Sequence, residues 1–101
     1  MNIAVVGAGY VGLITGIGFA KLNHQVSIID LNNDLINNLN NNKAPFYEPE
    51  LEENLDDLNL KNKLNFSTSY EESIDKNTDI VFVCVHSFKF KWEILHVAML
   101  T

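Results

Sequence analysis

The feature that most constrains the fold is a glycine turn at residues 7–12, which reads Gly-Ala-Gly-Tyr-Val-Gly and matches G-x-G-x-x-G. Residues 2–6 before it form a short apolar run rich in β-branched side chains, as in a strand buried on both faces. Residues 10–22 after it have helical spacing, and residues 25–29 form a second strand that ends at Asp30. The turn therefore joins a predicted strand to a predicted helix, the context in which this pattern indicates a dinucleotide-binding βαβ unit.

Each glycine of that pattern has a physical role. Gly7 allows the tight turn out of the strand, Gly9 lets a pyrophosphate approach the backbone, and Gly12 lets the helix lie close to the sheet. The helix N-terminus offers free N–H groups and the positive end of its dipole to the phosphates. Asp30 can accept hydrogen bonds from a ribose diol and would repel a 2′-phosphate, which favours NAD over NADP. FAD, another nucleotide and a turn without a ligand remain alternatives for this stretch alone.

The rest of the chain continues the alternation of helices and strands. A second helix is predicted from Asn32, and further strands are predicted at residues 64–67 and 79–85. Alternating elements indicate a parallel sheet with right-handed crossovers. We therefore expect an α/β fold, with a Rossmann-like parallel sheet of about four strands in the order 3-2-1-4, which is a truncated half of a doubly wound fold.

The helical segments carry more specific predictions. In the first helix one face is formed by Val11, Thr15, Phe19 and Leu22, and Asn23 is expected in the left-handed conformation after it. A third helix is predicted to open at residues 48–50, with Pro49 in its first turn and a leucine stripe further on. That stripe consists of Leu51, Leu55 and Leu58. A capping box of the S-x-x-E type, residues 69–72, predicts a short helix that runs to about residue 75.

Composition limits the classes of function. The 101 residues make one domain at most, and the formal net charge of −6 argues against nucleic acid or an anionic membrane surface as the main partner. No apolar run is long enough to span a bilayer, and the N-terminus lacks the basic region of a signal peptide. The single cysteine, Cys84, cannot form an internal disulfide, so a cytoplasmic location is expected.

Other polar groups receive plain structural interpretations. The acidic residues 48–53 are interpreted as a solvated helix start, and no metal site is predicted there because no histidine or aspartate joins them at ligand spacing. Cys84 lies within a predicted buried strand and is interpreted as packing rather than as a nucleophile. His24 is interpreted as a turn residue.

Two motifs together resemble a known family. Residues 2–13, and residues 45–53 with their Y-E-P sequence, look like the UDP-glucose 6-dehydrogenase family, which includes GDP-mannose dehydrogenases. Residues 64–68 and 79–85 resemble the next two strands of that family. The resemblance covers residues 1–85, so we expect an NAD-binding segment there and an atypical tail at residues 86–101.

The resemblance implies a function and a set of cofactor contacts. Enzymes of the family oxidise a nucleotide sugar to a uronic acid and reduce two NAD, and their reaction passes through a thioester on a cysteine. By resemblance the cofactor is NAD, and its contacts are Gly7, Gly9, Tyr10, Val11, Gly12, Asp30, Val85 and Ser87. Tyr10 and Val11 would supply backbone N–H groups at the pyrophosphate, and the loop after the fourth strand would complete the pocket.

The chain also departs from the family pattern. Leu35 stands where a basic residue often contacts the cofactor, Glu50 replaces the glycine of Y-E-P-G-L, and residues 86–88 replace G-T-P. The family's catalytic cysteine and its partners have no counterparts here, so no catalytic residue is predicted. We expect a truncated or frame-shifted product, inactive by itself.

The tail suggests an alternative function. Phe88, Phe90, Trp92 and Ile94 alternate with charged residues, which favours a strand, although a short helix fits residues 93–100 equally well. An apolar tail and an exposed sheet edge are surfaces for self-association of the chain or for binding a partner chain. A non-enzymatic interaction module is therefore the alternative to an NAD-binding portion of an oxidoreductase. A different Rossmann dehydrogenase or a flavin protein is a third hypothesis, against which the Y-E-P segment argues.

Overall fold

The computed structural model describes residues 1–84 and divides them into nine elements. In chain order these are β1 (Asn2–Val6), α1 (Tyr10–Lys21), β2 (Gln25–Ile29), α2 (Asn33–Asn40), α3 (Leu51–Asp56), α4 (Leu58–Lys61), β3 (Leu64–Ser67), α5 (Tyr70–Ser73) and β4 (Ile80–Val83). The alternation of strands and helices predicted from the sequence is confirmed. Val85, Ser87 and the tail at residues 86–101 lie outside the described residues.

The sheet is parallel, with strand order β3-β2-β1-β4, as predicted. Val5 in β1 pairs with Ile28 of β2 on one side and with Phe82 of β4 on the other. This order places the carboxyl ends of β1 and β4 side by side, at the point where the strand order reverses. Ligands of open parallel sheets bind at such a switch point, at the carboxyl ends of the strands.

The larger core lies between the sheet and α1. Val5, Leu13 and Ile28 are fully buried there, and Leu51 and Leu55 of α3 complete the cluster. Burial of each large aliphatic side chain contributes about 1.5–3 kcal/mol, so this layer holds α1 and the turn before it against the sheet.

The second face of the sheet has a smaller core. Ala4, Val6 and Ile29 pack there against Tyr70 of α5 and against Ile74, which follows it. Strand β4 is at an edge of the described sheet, and its apolar side chains are less covered than those of β1.

The helix face predicted for α1 was wrong. Val11 and Leu22 are 63% and 68% exposed, and the buried residues are instead Gly12, Leu13, Gly16, Ile17 and Ala20. The helix is apolar on almost every side, so its side-chain pattern cannot select a buried face. Gly12 and Gly16 select it, because a Cβ at these positions would overlap the Gly7 carbonyl and the Ile28 side chain respectively.

The region predicted as one helix from Pro49 to Leu58 is two short helices. α3 begins at Leu51, after Pro49, and ends at Asp56. The carboxylate of Asp57 accepts a hydrogen bond from the N–H of Asn59 and starts α4 in a new phase. Leu58 is consequently 74% exposed, and Leu60 takes the buried position instead.

Several helix ends follow the sequence closely. Asn32 caps α2 through the N–H of Leu35, and Ser69 caps α5 through the N–H of Glu72 at 3.2 Å. α5 nevertheless ends at Ser73, before the predicted residue 75. Asn23 has a φ of 71° after α1, as predicted, and its left-handed backbone closes that helix.

Candidate dinucleotide-binding site

The turn between β1 and α1 is held by a backbone that only glycine adopts readily. Gly7 has a φ of 104°, which is strained for a residue with a side chain. Its N–H donates to the carbonyl of Ile29 at 2.7 Å, so the first residue of the turn is hydrogen-bonded to the end of β2. The predicted role of Gly7 as the residue that permits the turn is confirmed.

The start of α1 lies directly on this turn. A Cβ at Gly12 would overlap the carbonyl oxygen of Gly7 and would lie 3.4 Å from the Cβ of Cys84. Gly12 therefore sets how closely the helix approaches the ends of β1 and β4. This close approach confirms the packing role predicted for Gly12.

The N-terminus of α1 is open. Its N-cap residue is Gly9, which has no side chain to cap the helix, and no acidic residue lies in the first turn. Within residues 1–84, no acceptor contacts the N–H groups of Tyr10 and Val11, and the space beside Gly9 is empty to 4 Å. Unpaired N–H groups at the positive end of a twelve-residue helix form a site that suits an anion.

Asp30 lies at the carboxyl end of β2, next to the turn. One carboxylate oxygen accepts the N–H of Ala8 at 2.9 Å, and the other accepts the N–H of Asn32 at 3.0 Å. The backbone N–H of Asp30 donates to the carbonyl of Ser67 at 3.1 Å, which fixes the residue to β3. The structure thus brings Asp30 and the glycine turn together, as the sequence predicted, and adds a direct bond between them.

An aromatic contact beside the turn was not predicted. The rings of Tyr10 and Phe46 lie 5.2 Å apart at 44°, which joins the loop at residues 43–50 to the first residue of α1. Tyr47 in the same loop is 94% exposed. The sequence showed the two motifs separately, and helical periodicity contains no signal for a contact between a turn and a distant loop.

Cys84 forms part of the floor beneath the turn. It follows β4 rather than lying inside it, and its N–H donates to the carbonyl of Val6 at 2.8 Å. The side chain is half-buried, and burial raises the pKa of the thiol above its ordinary value. A thiol whose ionisation is disfavoured is a poor nucleophile, which agrees with the packing role predicted for it.

The part of the chain that the structure describes offers no competing site for a metal. It contains no group of three or more histidine, cysteine, aspartate or glutamate side chains that could hold an ion. No helix among residues 1–84 has both the length and the apolar character needed to cross a membrane. A groove of about 310 Å³ lies at the amino ends of the strands, lined by Gln25, Asn65 and Asp75 among others, whereas the glycine turn follows the carboxyl end of β1.

These features define the class of protein. A parallel sheet in the order β3-β2-β1-β4, a glycine turn at its switch point and an acidic residue at the end of β2 are the parts of a Rossmann-type dinucleotide-binding domain.

Comparison with known proteins gives the family. Residues 1–89 match the model described as "UDP-glucose/GDP-mannose dehydrogenase family, NAD binding domain". The chain therefore belongs to the UDP-glucose/GDP-mannose dehydrogenase family, and these residues are its NAD-binding domain.

Individual relatives agree with this assignment. The chain is 40% identical over 85 residues to the UDP-glucose 6-dehydrogenase YwqF of Bacillus subtilis, which covers 84% of this chain and 19% of that protein. A GDP-mannose dehydrogenase from Pseudomonas aeruginosa, solved as a ternary complex, superposes with a TM-score of 0.77 at 29% identity, over 86% of this chain and 20% of that one. For a UDP-glucose dehydrogenase from Pyrobaculum islandicum the TM-score is 0.73 at 37% identity, over 82% and 19%. The chain spans about a fifth of the length of these relatives.

Proposed function

We propose that this chain is the cofactor-binding portion of a UDP-glucose 6-dehydrogenase-like oxidoreductase, and that its glycine turn and Asp30 bind NAD. The observation that carries the proposal is the open N-terminus of α1 beside the Asp30 carboxylate. An anion site and a ribose acceptor at one edge of the sheet match the two polar parts of a dinucleotide.

The pyrophosphate would lie over Gly9. Gly9 has no side chain, and no other group among residues 1–84 lies within 4 Å of the place where its Cβ would be, so a phosphate oxygen can reach the helix end. The N–H groups of Tyr10 and Val11 would donate to it, and Gly7 and Gly12 would hold the turn in the shape that aims those groups outward.

The adenosine ribose would lie at Asp30. An ionised carboxylate has about four lone-pair sites, so each oxygen can accept a ribose hydroxyl in addition to its present backbone N–H. A 2′-phosphate would place negative charge against this carboxylate, so we propose selectivity for NAD over NADP. By family resemblance, Val85 and Ser87 would complete the pocket after β4.

When bound, NAD would be the hydride acceptor in the oxidation of a nucleotide sugar. The residues of this chain would bind and orient the cofactor, and we assign no catalytic residue to them. We propose that the chain alone is inactive, and the cytoplasmic location expected from its single cysteine belongs to the same proposal.

A thermal melt of the full chain, followed by circular dichroism with and without NAD, tests this function. NAD held at about 100 times its Kd should add about 2.7 kcal/mol of stability. For a chain of this size that is a rise in Tm on the order of 10 °C. NADP at the same concentration should have a much smaller effect. A cooperative melt that neither nucleotide shifts would contradict the proposal.

A second candidate function is association through the edge of the sheet. The side chains of Ile80 and Val83 are 37% and 41% exposed on β4, whereas Val5 on the neighbouring strand is fully buried. Among the described residues β4 is an edge strand, and an exposed edge strand with apolar side chains is a template for pairing with another chain. Light scattering coupled to size exclusion, at several protein concentrations, tests this candidate, and a monomer throughout would count against it.

A further inference from the structure

The carboxylate of Asp30 is part of the glycine turn as well as a group that faces the ribose. It reaches from the end of β2 to the N–H of Ala8, 22 positions earlier in the chain, at 2.9 Å. Ala8 has no exposed surface, so water cannot replace this acceptor without a change in the turn. By contrast, the second backbone donor on this carboxylate, the N–H of Asn32, belongs to an exposed residue.

Few other bonds tie the turn to the sheet. The N–H of Gly7 donates to the carbonyl of Ile29, and the next N–H, that of Ala8, donates to Asp30. The Asp30 backbone is itself bonded to Ser67 of β3. Two consecutive turn amides are therefore fixed by the last residue of β2, Ile29, and by the residue after it, Asp30, and the second of these bonds depends on a side chain.

We infer that Asp30 is a positioning residue for the pyrophosphate turn in addition to its proposed role in selecting the ribose. This inference rests on the proposed function for its consequences in binding, but the bond to Ala8 exists without any cofactor. Removal of the acceptor should loosen the turn and lower the affinity of the chain for every dinucleotide. Removal of the charge alone should change only the choice between NAD and NADP.

Two substitutions separate the roles. Asp30→Asn keeps one oxygen, which can accept the buried N–H of Ala8; its amide nitrogen then faces the N–H of Asn32, an exposed donor that water can satisfy. Asp30→Ala removes both oxygens. The matched control is Asp56→Ala, which removes a carboxylate that is exposed and makes no hydrogen bond with a described residue.

The first measurement is the Tm of the four full-length chains without cofactor. We expect Asp30→Ala to melt about 5–10 °C below the wild type, because it leaves a buried N–H without its acceptor. Asp30→Asn should recover most of that loss, and Asp56→Ala should melt like the wild type. An Asp30→Ala chain that fails to fold while Asp30→Asn folds also supports the inference. Equal Tm values for the wild type and both Asp30 variants overturn the inference. An equal drop in Tm in both variants also overturns it, because the effect would then come from the lost charge.

The second measurement is the Kd of NAD and of NADP by calorimetry. A carboxylate that acted only by repulsion would give both neutral variants a gain in NADP affinity. Our inference predicts that gain in NADP affinity for Asp30→Asn alone, so that the ratio of NAD affinity to NADP affinity falls at least tenfold in this variant. Asp30→Ala should instead lose affinity for both nucleotides, on the order of tenfold. A gain in NADP affinity by Asp30→Ala overturns the positioning role. Absence of NAD binding by the wild type would refute the proposed function, and the melts without cofactor would still decide whether Asp30 holds the turn.

Discussion

The carbonyl of Gly7 occupies the space in which a side chain at Gly12 would begin. The carbonyl carbon lies 2.9 Å from the position of a Cβ at Gly12, and the oxygen lies closer still. The Gly7 carbonyl and the Cα of Gly12 both belong to the backbone, and the turn that joins them is hydrogen-bonded to β2. Separating the two to make room for a side chain is therefore costly. The start of α1 therefore lies directly against the turn that follows β1, with no room for a side chain between them.

We predict that Gly12→Ala destabilises the domain severely. The added methyl group forces the helix away from the sheet, at a cost of about 3 kcal/mol or more. That is a large share of the stability of a small domain. The measurement is urea unfolding of the full chain.

The matched control for this substitution is Gly18→Ala on the same helix. Gly18 is exposed, and a Cβ there would have no neighbour within 4 Å among residues 1–84 outside its own helix backbone. Alanine should therefore stabilise α1 by about 0.5–1 kcal/mol. Equal effects of the two substitutions would show that helix propensity, rather than the Gly7 carbonyl, determines the result at position 12.

Gly9→Ala should separate folding from binding. The backbone at Gly9 is extended, with a φ of −74°, and no other group in the described part of the chain lies within 4 Å of a Cβ built there. The variant should melt within a few degrees of the wild type, but its methyl group would lie where the pyrophosphate is proposed to lie. We expect NAD affinity to fall at least tenfold by calorimetry. Unchanged affinity would argue that the phosphates bind elsewhere.

Gly16→Ala tests how closely the middle of α1 packs on β2. A Cβ there would lie 2.5 Å from the Cδ1 of Ile28, the far end of a flexible but fully buried side chain. The expected cost is about 1–3 kcal/mol, measured by denaturant unfolding. Ile28→Val removes that methyl group, so the double variant should be more stable than the sum of the two single changes predicts. Simple additivity would contradict the contact.

Asn42 should tolerate glycine but not alanine. Its φ is 62°, and its N–H donates to the carbonyl of Leu39 where the chain leaves α2. Alanine in this left-handed conformation should cost about 1 kcal/mol, whereas glycine should be neutral or stabilising. Thermal unfolding of both variants provides the measurement. The control is Asn38→Ala, at an exposed position inside α2, which should stabilise slightly.

Cys84 should react slowly with thiol reagents at neutral pH. Burial raises the pKa of its thiol, so the thiolate fraction is small and should increase about tenfold for each pH unit below the pKa. We expect alkylation by iodoacetamide to be much faster in denaturant than in the folded chain. The unfolded thiol ionises at the lower pH, so stability should begin to fall as the pH rises past the unfolded pKa and continue to fall up to the folded one. Fast alkylation of the folded chain at pH 7 would contradict this prediction.

The parts of the fold that the sequence determined by itself are the locally encoded ones. The β-branched runs place β1 and β2 correctly, and the glycine turn between β1 and α1 requires a positive φ that Gly7 supplies. Asn32 and Ser69 cap their helices through N–H groups three residues away. Such features depend on neighbours along the chain, so their residue types suffice to predict them.

The tertiary structure alone decided the features that depend on contacts between distant residues. The residue pattern of α1 could not show that Gly12 and Gly16 lie on its buried side, because apolar residues occur all around the helix. The buried side is determined by how closely the helix packs on the turn and on β2. The bond from Asp30 to Ala8 was likewise invisible in the sequence, which located the acidic residue but not its backbone partner. Periodicity reports which side chains avoid water, whereas the shape of the assembled sheet determines which groups come within bonding distance.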